Sequence, residues 1–337
     1  MIIRLSRNAY DKAYWFSEDL IAEGINLDKL TSELMNSIYD KAGIERRHPS
    51  RHHPQLKIIL LSFLKASEYP EGLITLPMSV GRYSEFQHLT YRVTVELVLN
   101  TLQKMKWIRA HTGYRFARES GLSRIRINKP LLEWLKKLHV DTDDIEREPP
   151  QLTLQYRNKD KRPLPIPKHL EAKAVELDAG TKTINEKPRT TFIDLFIDDY
   201  ELEDLNLRMS DKAEENPYQQ FRLDRSQRYL KRVFNNESFE DGGRFYGGWW
   251  QSIPSEYRKY ISLNGDLTIE MDYSSIHIHL LYAALQSHCP HKDHYVFGKL
   301  TKAFRPITKT LMMILINASS EKAALALAKK QGLFDDG

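Results

Sequence analysis

The stretch from residue 268 to residue 284 changes its hydrophobic period halfway along, and few features constrain a local fold as strongly. Up to Asp272, apolar and acidic side chains alternate, which predicts a half-buried strand with Ile269 and Met271 on its inner face. Beyond it, apolar residues recur at helical spacing. The sequence therefore predicts a strand, a turn and a helix, with the Asp272 carboxylate at the carboxyl end of the strand.

Asp272 has two interpretations at this position. A carboxylate at a strand end is a common metal ligand, and it can equally cap the helix that follows. Ser274 and Ser275 lie at the same junction and are further capping candidates. Glu270 shares the strand face with Asp272 and would either support a metal site or be an exposed strand residue. This segment alone leaves these alternatives open.

A second stretch predicts a helix that carries one stripe of side chains four residues apart: Arg305, Lys309, Met313 and Asn317. Pro306 suits the first turn of that helix. Two cations near a helix N-terminus oppose the helix dipole, and this arrangement makes sense where a polyphosphate binds. A solvated basic face is the alternative. The apolar run Leu311–Ile316 disfavours that alternative because it leaves little solvated surface.

These stretches resemble nucleic-acid polymerases. Asp272-Tyr273-Ser274-Ser275-Ile276 is similar to motif A of the family A DNA polymerases, Asp-Tyr-Ser-Gln-Ile-Glu. The stripe is similar to their fingers helix, Arg-x-x-x-Lys-x-x-x-Phe-x-x-x-Tyr. Arg305-Pro306-Ile307-Thr308-Lys309 is closer still to the phage-type single-subunit RNA polymerases, which share Met at the third stripe position. Gly243-Arg244, Gln251-x-Ile253-Pro254 and Arg258 resemble the elements that precede motif A. The resemblance covers about a quarter of the chain, residues 235–320.

The resemblance implies a site for two-metal phosphoryl transfer. Asp272 would bind both catalytic Mg²⁺ ions, and the carbonyl of Tyr273 would bind one of them. Arg305 and Lys309 would hold the triphosphate of a nucleoside triphosphate, and together with Asp272 they form the implied catalytic set. The implied nucleotide-binding set is Tyr273, Ser274, His277, Arg305, Lys309, Met313 and Asn317. Arg244, Gln251 and Arg258 would contact a primer–template.

Three features depart from the polymerase pattern. His277 stands where the DNA polymerases carry the Glu that screens the sugar 2′ position, and Asn317 stands where both families carry Tyr. Motif C, with the second catalytic Asp, has no counterpart before Gly337, because Asp335 and Asp336 follow the fingers helix too closely. The chain is therefore expected to be a fragment of a polymerase or to have lost activity.

The N-terminal part predicts helices followed by a basic two-stranded ribbon. Helices are expected near residues 14–21, 27–38, 57–67 and 90–106, strands at 107–111 and 124–128 with a turn at Thr112-Gly113, and a closing helix at 131–138. This order resembles the winged helix, a helix-turn-helix variant, of plasmid replication initiators. Its basic residues would meet DNA phosphates: Arg109, His111, Arg115, Arg118, Arg124 and Arg126, with Arg124 and Arg126 pointing outward. A small α+β protein-binding module is the alternative.

The composition is consistent with a nucleic-acid partner without requiring one. The 337 residues are 41% hydrophobic, which allows two or three domains with real cores, and the formal charge is +5. The single Cys289 excludes an internal disulfide framework, so the cytoplasm is the expected compartment. No secretory signal and no membrane span are expected.

The remaining segments complete the expected organisation. Residues 141–190 are polar, rich in Pro and carry many charges, so we expect a linker with a little local structure there, followed by helices at 195–209 and 218–234. The basic patch 46–53 is interpreted as a solvated linker rather than a phosphate contact. The histidines at 277, 279, 288, 291 and 294 have spacing that disfavours zinc. The Trp249-Trp250 pair is interpreted as core rather than as a base-stacking platform.

The expected fold is α+β. A helical and winged-helix domain at 1–140 and a linker at 141–190 precede an incomplete polymerase-like palm and fingers core at 191–337. The expected function is template-dependent nucleotidyl transfer with DNA and nucleoside triphosphates as partners, in replication of a mobile element or phage. One alternative is a DNA-binding replication or regulatory protein with an inert core. A metal-dependent nuclease is another, but it needs a cluster of acids near Asp272 that the sequence does not offer.

Overall fold

The computed structural model describes residues 13–46, 48–69, 71–111, 115–116, 119–120, 123–215, 222–271, 273–288, 293–296 and 302–333. It is a mixture of helices and strands, which confirms the predicted α+β class. The chain divides into two compact units, one within residues 1–269 and the other within residues 270–337. Of the helices within the described residues, none combines the length and the apolar character that crossing a membrane requires.

Two of the predicted N-terminal helices form, and one does not. Helix α1 (Leu27–Ala42) and helix α2 (Pro49–Ser67) follow the apolar periodicity. The predicted helix near residues 14–21 is instead two short strands, β1 (Tyr14–Trp15) and β2 (Leu20–Ile21). Tertiary pairing explains the difference, because β1 pairs with a strand at residues 73–75 and β2 with one at residues 146–147.

The basic patch is mostly helical rather than a linker. Helix α2 begins at Pro49, so most of the patch lies in its first turns. Pro is favourable there because the first helical turn needs no donor from it. The prediction that α2 starts only at Lys57 is therefore wrong by two turns.

A four-stranded sheet forms the base of this part, in the order β1-β3-β7-β4. Strands β3 (Leu73–Thr75), β4 (Ile108–His111) and β7 (Arg124–Ile127) are antiparallel, with β7 in the middle. The short strands β5 (Arg115–Phe116) and β6 (Glu119–Ser120) pair with each other and lie between β4 and β7 in the chain. The predicted turn at Thr112-Gly113 lies outside the described residues.

Helix α3 connects β3 to β4. It has π geometry over Arg92–Leu99 and α geometry over Asn100–Lys104. Helix α4 (Lys129–Leu135) follows β7. Both helices confirm the sequence periodicity. Their apolar faces join α1, α2 and the sheet in one continuous core, whose fully covered members include Leu27, Ile38, Leu56, Phe63, Val98, Leu102 and Leu131.

Residues 141–190, predicted to be a linker, contain regular structure. Strands β8 (Glu146–Arg147) and β9 (Leu154–Tyr156) are followed by the long helix α5 (Glu171–Thr190). The helix forms because Leu154, Tyr156 and Ala174 bury themselves together with Phe234. The many charges that suggested a linker lie on the exposed sides of these elements.

The middle of the chain is organised around a cluster that includes Trp249. Strand β10 (Ile193–Leu195) precedes helix α6 (Asp199–Glu215), which confirms the helix predicted at 195–209. The predicted helix at 218–234 is wrong in its described part, where strand β11 (Lys231–Phe234) forms. Residues 216–221 lie outside the described residues.

The remaining strands of the first unit complete two small sheets. Strand β12 (Gly242–Tyr246) completes the sheet β12-β11-β9. Strand β13 (Ile261–Leu263) pairs with β10 on one side and with β14 (Asp266–Leu267) on the other. The 3₁₀ turns at Trp249–Gln251 and Ser255–Tyr260 lie between these sheets along the chain.

An ionic network ties the segment 222–228 to the N-terminal core. Asp224 lies 3.1 Å from a guanidinium nitrogen of Arg147 and 3.4 Å from Nζ of Lys65. Arg147 also contacts Asp19, at 3.1 Å. Burial by itself would raise the pKa of Asp224, but the charges of Arg147 and Lys65 and the hydrogen bonds it accepts lower that pKa to about 2. Asp224 is therefore a buried carboxylate that stays ionised.

The second unit is helical in its described part. Helix α7 (Ile276–Ala284), helix α8 (Arg305–Asn317) and helix α9 (Glu321–Lys330) confirm the two helices that the sequence predicts there and add a third. The predicted strand before α7 does not form, since residues 268–271 have no regular structure. Ile269 and Met271, expected on a buried face, are 87% and 89% exposed.

Candidate functional site

Helix α3 presents a polar stripe that sequence reasoning missed. Its exposed positions include Arg92, Glu96, Asn100 and Gln103, and its buried positions include Val95, Val98 and Leu102. Spacings of four, four and three residues place the exposed set on one face. The signal was present in the sequence, because this stripe is the complement of the apolar face that predicted the helix.

Two arginines lie on the same face of the ribbon formed by β4 and β7. Arg109 on β4 is paired in register with Arg126 on β7, and residues directly opposite in antiparallel strands share a face. Arg109 is exposed. Arg126 is half-exposed and forms an ion pair with Glu71. The predicted outward position therefore holds for Arg126, although its charge is partly neutralised.

Arg124 corrects the prediction that it points outward. It is only 5% exposed, and its guanidinium lies over the ring of Trp15, 5.9 Å from the ring centroid. A cation in this position stabilises the packing of β1 against the sheet. His111, opposite Arg124 in the register, is also buried, so neither side chain is available to a phosphate. The Arg115 side chain and Arg118 lie outside the described residues.

The glycine-rich motif before residue 251 forms a strand end with tight backbone packing. Gly247 has a φ of +127°, and a Cβ there would lie 2.4 Å from the carbonyl oxygen of Tyr229. The side-chain amide of Gln251 accepts from the Gly247 N–H at 3.0 Å and donates to the Phe245 carbonyl at 3.0 Å. Gln251, predicted to contact a primer–template, thus holds the end of β12 in place.

The other two residues of that predicted set differ in exposure. Arg244 on β12 is exposed. Arg258 is half-buried in the turn beside Tyr257. Trp249 is fully buried in the cluster with Leu205 and Ile253, which confirms its interpretation as core.

In the second unit, helix α8 places the four predicted stripe residues on one face. Arg305 donates to Asp293 at 2.8 Å and lies over the ring of Tyr295, 5.3 Å from its centroid. This hydrogen bond, more than any other contact, lowers the pKa of Asp293. Lys309 is exposed, and Asn317 donates to the Met313 carbonyl at 2.8 Å.

The apolar part of α8 is less covered than the sequence indicates. Ile307 and Leu315 are 41% and 56% exposed, whereas Thr308 is buried. The argument that little solvated surface remains on this helix is therefore not supported. The stripe still carries two cations in the first turns, where the helix dipole by itself disfavours them.

The start of α7 carries the other predicted nucleotide contacts. Tyr273, Ser274 and His277 are all exposed. Ser275 occupies the N-cap position with a φ of +56°, but its side chain makes no capping hydrogen bond. Ser275 therefore has the predicted position of a cap without the hydrogen bond that a cap supplies. Asp272 lies outside the described residues, and its metal and capping roles stay predictions.

Two places in the second unit carry side chains or carbonyls of the kinds that bind metals. His279 and His294 have ring centroids 4.3 Å apart, while His291 and Cys289 lie outside the described residues. Across the described part of the chain, no three His, Cys, Asp or Glu side chains are grouped so that they could hold a metal ion. The Tyr273 carbonyl and the Asp272 carboxylate are oxygen donors, the type that Mg²⁺ prefers.

Comparison with known proteins adds no assignment. No family model matches the chain, and neither a curated protein nor a solved structure matches it.

Proposed function

We propose that the chain is a DNA-binding protein whose N-terminal part, residues 1–140, binds duplex DNA as a winged helix. One observation carries this proposal. Helix α3 lies between β3 and β4 in the chain, and both of these strands pair antiparallel with β7, which forms the two-stranded ribbon with β4. A helix-turn-helix variant has its recognition helix at this place. The polar stripe on α3 is then the surface that meets base edges.

The chemistry of the stripe suits the major groove. Arg pairs with guanine, and Asn and Gln pair with adenine, through two hydrogen bonds each. Arg92, Asn100 and Gln103 carry these groups on one exposed face. Arg109, on the ribbon that follows α3 in the chain, would contact a phosphate and add affinity without sequence information.

Two kinds of variant test this proposal on the full chain. Selection from a random duplex library identifies a preferred sequence. Asn100→Ala and Gln103→Ala should each reduce the preference for it by about 1–3 kcal/mol while leaving non-specific binding intact. Arg109→Ala should instead weaken all sequences alike and lower the salt slope by about 0.9.

Arg189→Ala is the matched control. Arg189 is an exposed arginine on α5 that pairs with Glu186, away from α3 in the chain. It should change neither the preference nor the slope. Duplex binding that is independent of salt, or that is unaffected by all the α3 variants, would instead favour the protein-binding module.

The second candidate function is template-dependent nucleotidyl transfer, the activity that the polymerase resemblance implies, in replication of a mobile element or phage. The observation that favours it is the alignment of Arg305, Lys309, Met313 and Asn317 on one helical face. Asp272 and the carbonyl of Tyr273 would hold two magnesium ions, which would supply Lewis-acid chemistry for phosphoryl transfer. The alternative is a DNA-binding replication or regulatory protein whose core is inert.

Nucleotide binding and incorporation separate these alternatives. Lys309→Ala should weaken binding of a nucleoside triphosphate, whereas Lys322→Ala, an exposed lysine on α9, should not. Asp272→Ala should abolish incorporation on a primed template with Mg²⁺ and leave DNA binding unchanged. Triphosphate binding without any incorporation by the unaltered full-length gene product would identify the core as inert.

A further inference from the structure

The sheet β12-β11-β9 has two different faces. On one face, Leu154, Tyr156 and Phe234 pack with residues of helix α5 and are buried. Since side chains alternate along a strand, the intervening residues point to the opposite face. That opposite face carries Lys231 and Val233 on β11 and Arg244 and Tyr246 on β12.

Three side chains of the opposite face are exposed and close together. Tyr246 pairs in register with Lys231, so their Cα atoms lie about 4.5–5.5 Å apart. Arg244 is two residues from Tyr246 on the same strand, about 7 Å away. Tyr246 is 52% exposed, and Lys231 and Arg244 are exposed as well. We call Lys231, Arg244 and Tyr246 the Tyr246 face.

The charges of this face are not neutralised within the described part of the chain. No described residue forms an ion pair or a side-chain hydrogen bond with Lys231 or Arg244. The carboxylates of the same hairpin, Glu237, Glu240 and Asp241, lie in its connecting turn, at the other end of the strands from Tyr246. The face is therefore a small cationic surface around one aromatic ring.

We propose that the Tyr246 face binds single-stranded nucleic acid. The ring of Tyr246 offers a stacking surface to a base. Lys231, across the strand pair, and Arg244, two residues along the same strand, would meet the phosphates next to that base. An unpaired strand is favoured over a duplex because a duplex keeps its bases stacked on one another, away from a side-chain ring. The inference extends the proposed nucleic-acid function to an unpaired strand and uses none of the residues of α3.

The polymerase resemblance includes Arg244 as a primer–template contact but assigns nothing to Lys231 or Tyr246. The new elements are that Tyr246 stacks on a base and that it lies opposite a cation, Lys231, on the neighbouring strand. A stacking role makes binding tolerant of base sequence and dependent on the ring, whereas a purely ionic contact depends only on charge.

The test uses the full chain and a short fluorescein-labelled oligothymidylate, with binding followed by fluorescence anisotropy. Tyr246→Ala should weaken binding at least about fivefold, and Tyr246→Phe should keep it, because the phenyl ring still stacks. Tyr200→Ala, at an exposed tyrosine on α6, is the matched control and should bind like the unaltered chain. Replacing Lys231 and Arg244 together by Ala should lower the salt slope by about 1.4, or about 0.7 for each cation.

Other outcomes would overturn the inference. Binding unchanged in Tyr246→Ala would exclude stacking, and an unchanged salt slope in the double variant would exclude the phosphate contacts. If polyglutamate displaced the labelled oligothymidylate as effectively as nucleic acid does, the Tyr246 face would be an unspecific cationic surface. Duplex affinity is measured in parallel: loss of oligothymidylate binding with duplex binding intact supports the Tyr246 face whatever the α3 variants show, and equal loss of both contradicts it.

Discussion

Asp224 is the carboxylate whose removal should destabilise the first unit most. It is 6% exposed and lies between Lys65, which is 5% exposed, and Arg147. The hydroxyl of Ser226 donates to it at 2.6 Å. Replacing Asp224 by Ala removes the partner of two largely buried cations. Removing one partner of a buried ion pair typically costs about 3–5 kcal/mol, so we expect a loss of that size in the free energy of unfolding.

Asp224→Asn is the more informative substitution because it keeps the size of the side chain and removes only its charge. The pKa of Asp224 falls from its ordinary 3.8 to about 2 in the folded chain. Each pKa unit corresponds to about 1.4 kcal/mol, so the folded state favours the ionised carboxyl by about 2 kcal/mol. Asn should therefore destabilise the fold by at least about that amount near neutral pH.

The same pKa shift predicts how the loss depends on pH. Because the folded pKa lies below the unfolded one, the stabilisation is fully present above about pH 4 and is lost as the pH falls through about 2. The stability difference between the unaltered chain and Asp224→Asn should therefore shrink on acidification. Comparing the two chains at each pH cancels the titration of all other carboxylates.

Urea unfolding followed by tryptophan fluorescence measures this directly, since the five Trp residues all lie before residue 269 and report on the first unit. Asp143→Asn is the matched control. Asp143 pairs with Arg225 at 3.3 Å, but its side chain is 63% exposed, so its removal should cost less than about 1 kcal/mol. If Asp224→Asn were as stable as the control, or its deficit were the same at about pH 7 and about pH 2.5, the reasoning would be refuted.

Three further outcomes follow from the packing. Gly247→Ala should destabilise the first unit by more than about 1 kcal/mol in urea unfolding, because its Cβ would meet the Tyr229 carbonyl at 2.4 Å. Trp249→Ala should cost about 3–5 kcal/mol in the same assay, since a fully buried indole leaves a cavity. Arg305→Ala should raise the pKa of Asp293 towards its ordinary value, which a carboxyl NMR titration detects, because Arg305 is the largest cause of the lowered pKa. An unchanged pKa would mean that the ion pair of α8 does not form.

Several elements of this chain could be predicted from local sequence. The apolar repeat at Val95, Val98 and Leu102 predicted helix α3, and the same kind of repeat predicted α1 and α7. The alternation at Ile125 and Ile127 predicted β7 and its buried face. These predictions hold because a repeated apolar face identifies an element whatever it later packs against.

Other elements depended on contacts between residues far apart in the chain. Strand β1 forms because Tyr14 pairs with Ile74, a residue that local patterning around Tyr14 does not include. Helix α5 sits in a stretch whose charges predicted a linker, and Ala174 is buried only because Phe234 packs nearby. Short strands have weak local signals, so their existence depends on the partner strand that supplies their hydrogen bonds.

The sequence by itself determined which residue types are present for chemistry, and the tertiary structure decided which of them are available. Arg109, Arg124 and Arg126 have the same charge and similar spacing, yet Arg109 is exposed, Arg126 pairs with Glu71, and Arg124 is buried against Trp15. Gln251 has the right side chain for a nucleic-acid contact, but its amide oxygen accepts a hydrogen bond from Gly247 and its amide nitrogen donates one to the Phe245 carbonyl. Local sequence specifies the period of a helix or strand, whereas the exposure and charge of a side chain depend on neighbours that only the folded chain brings together.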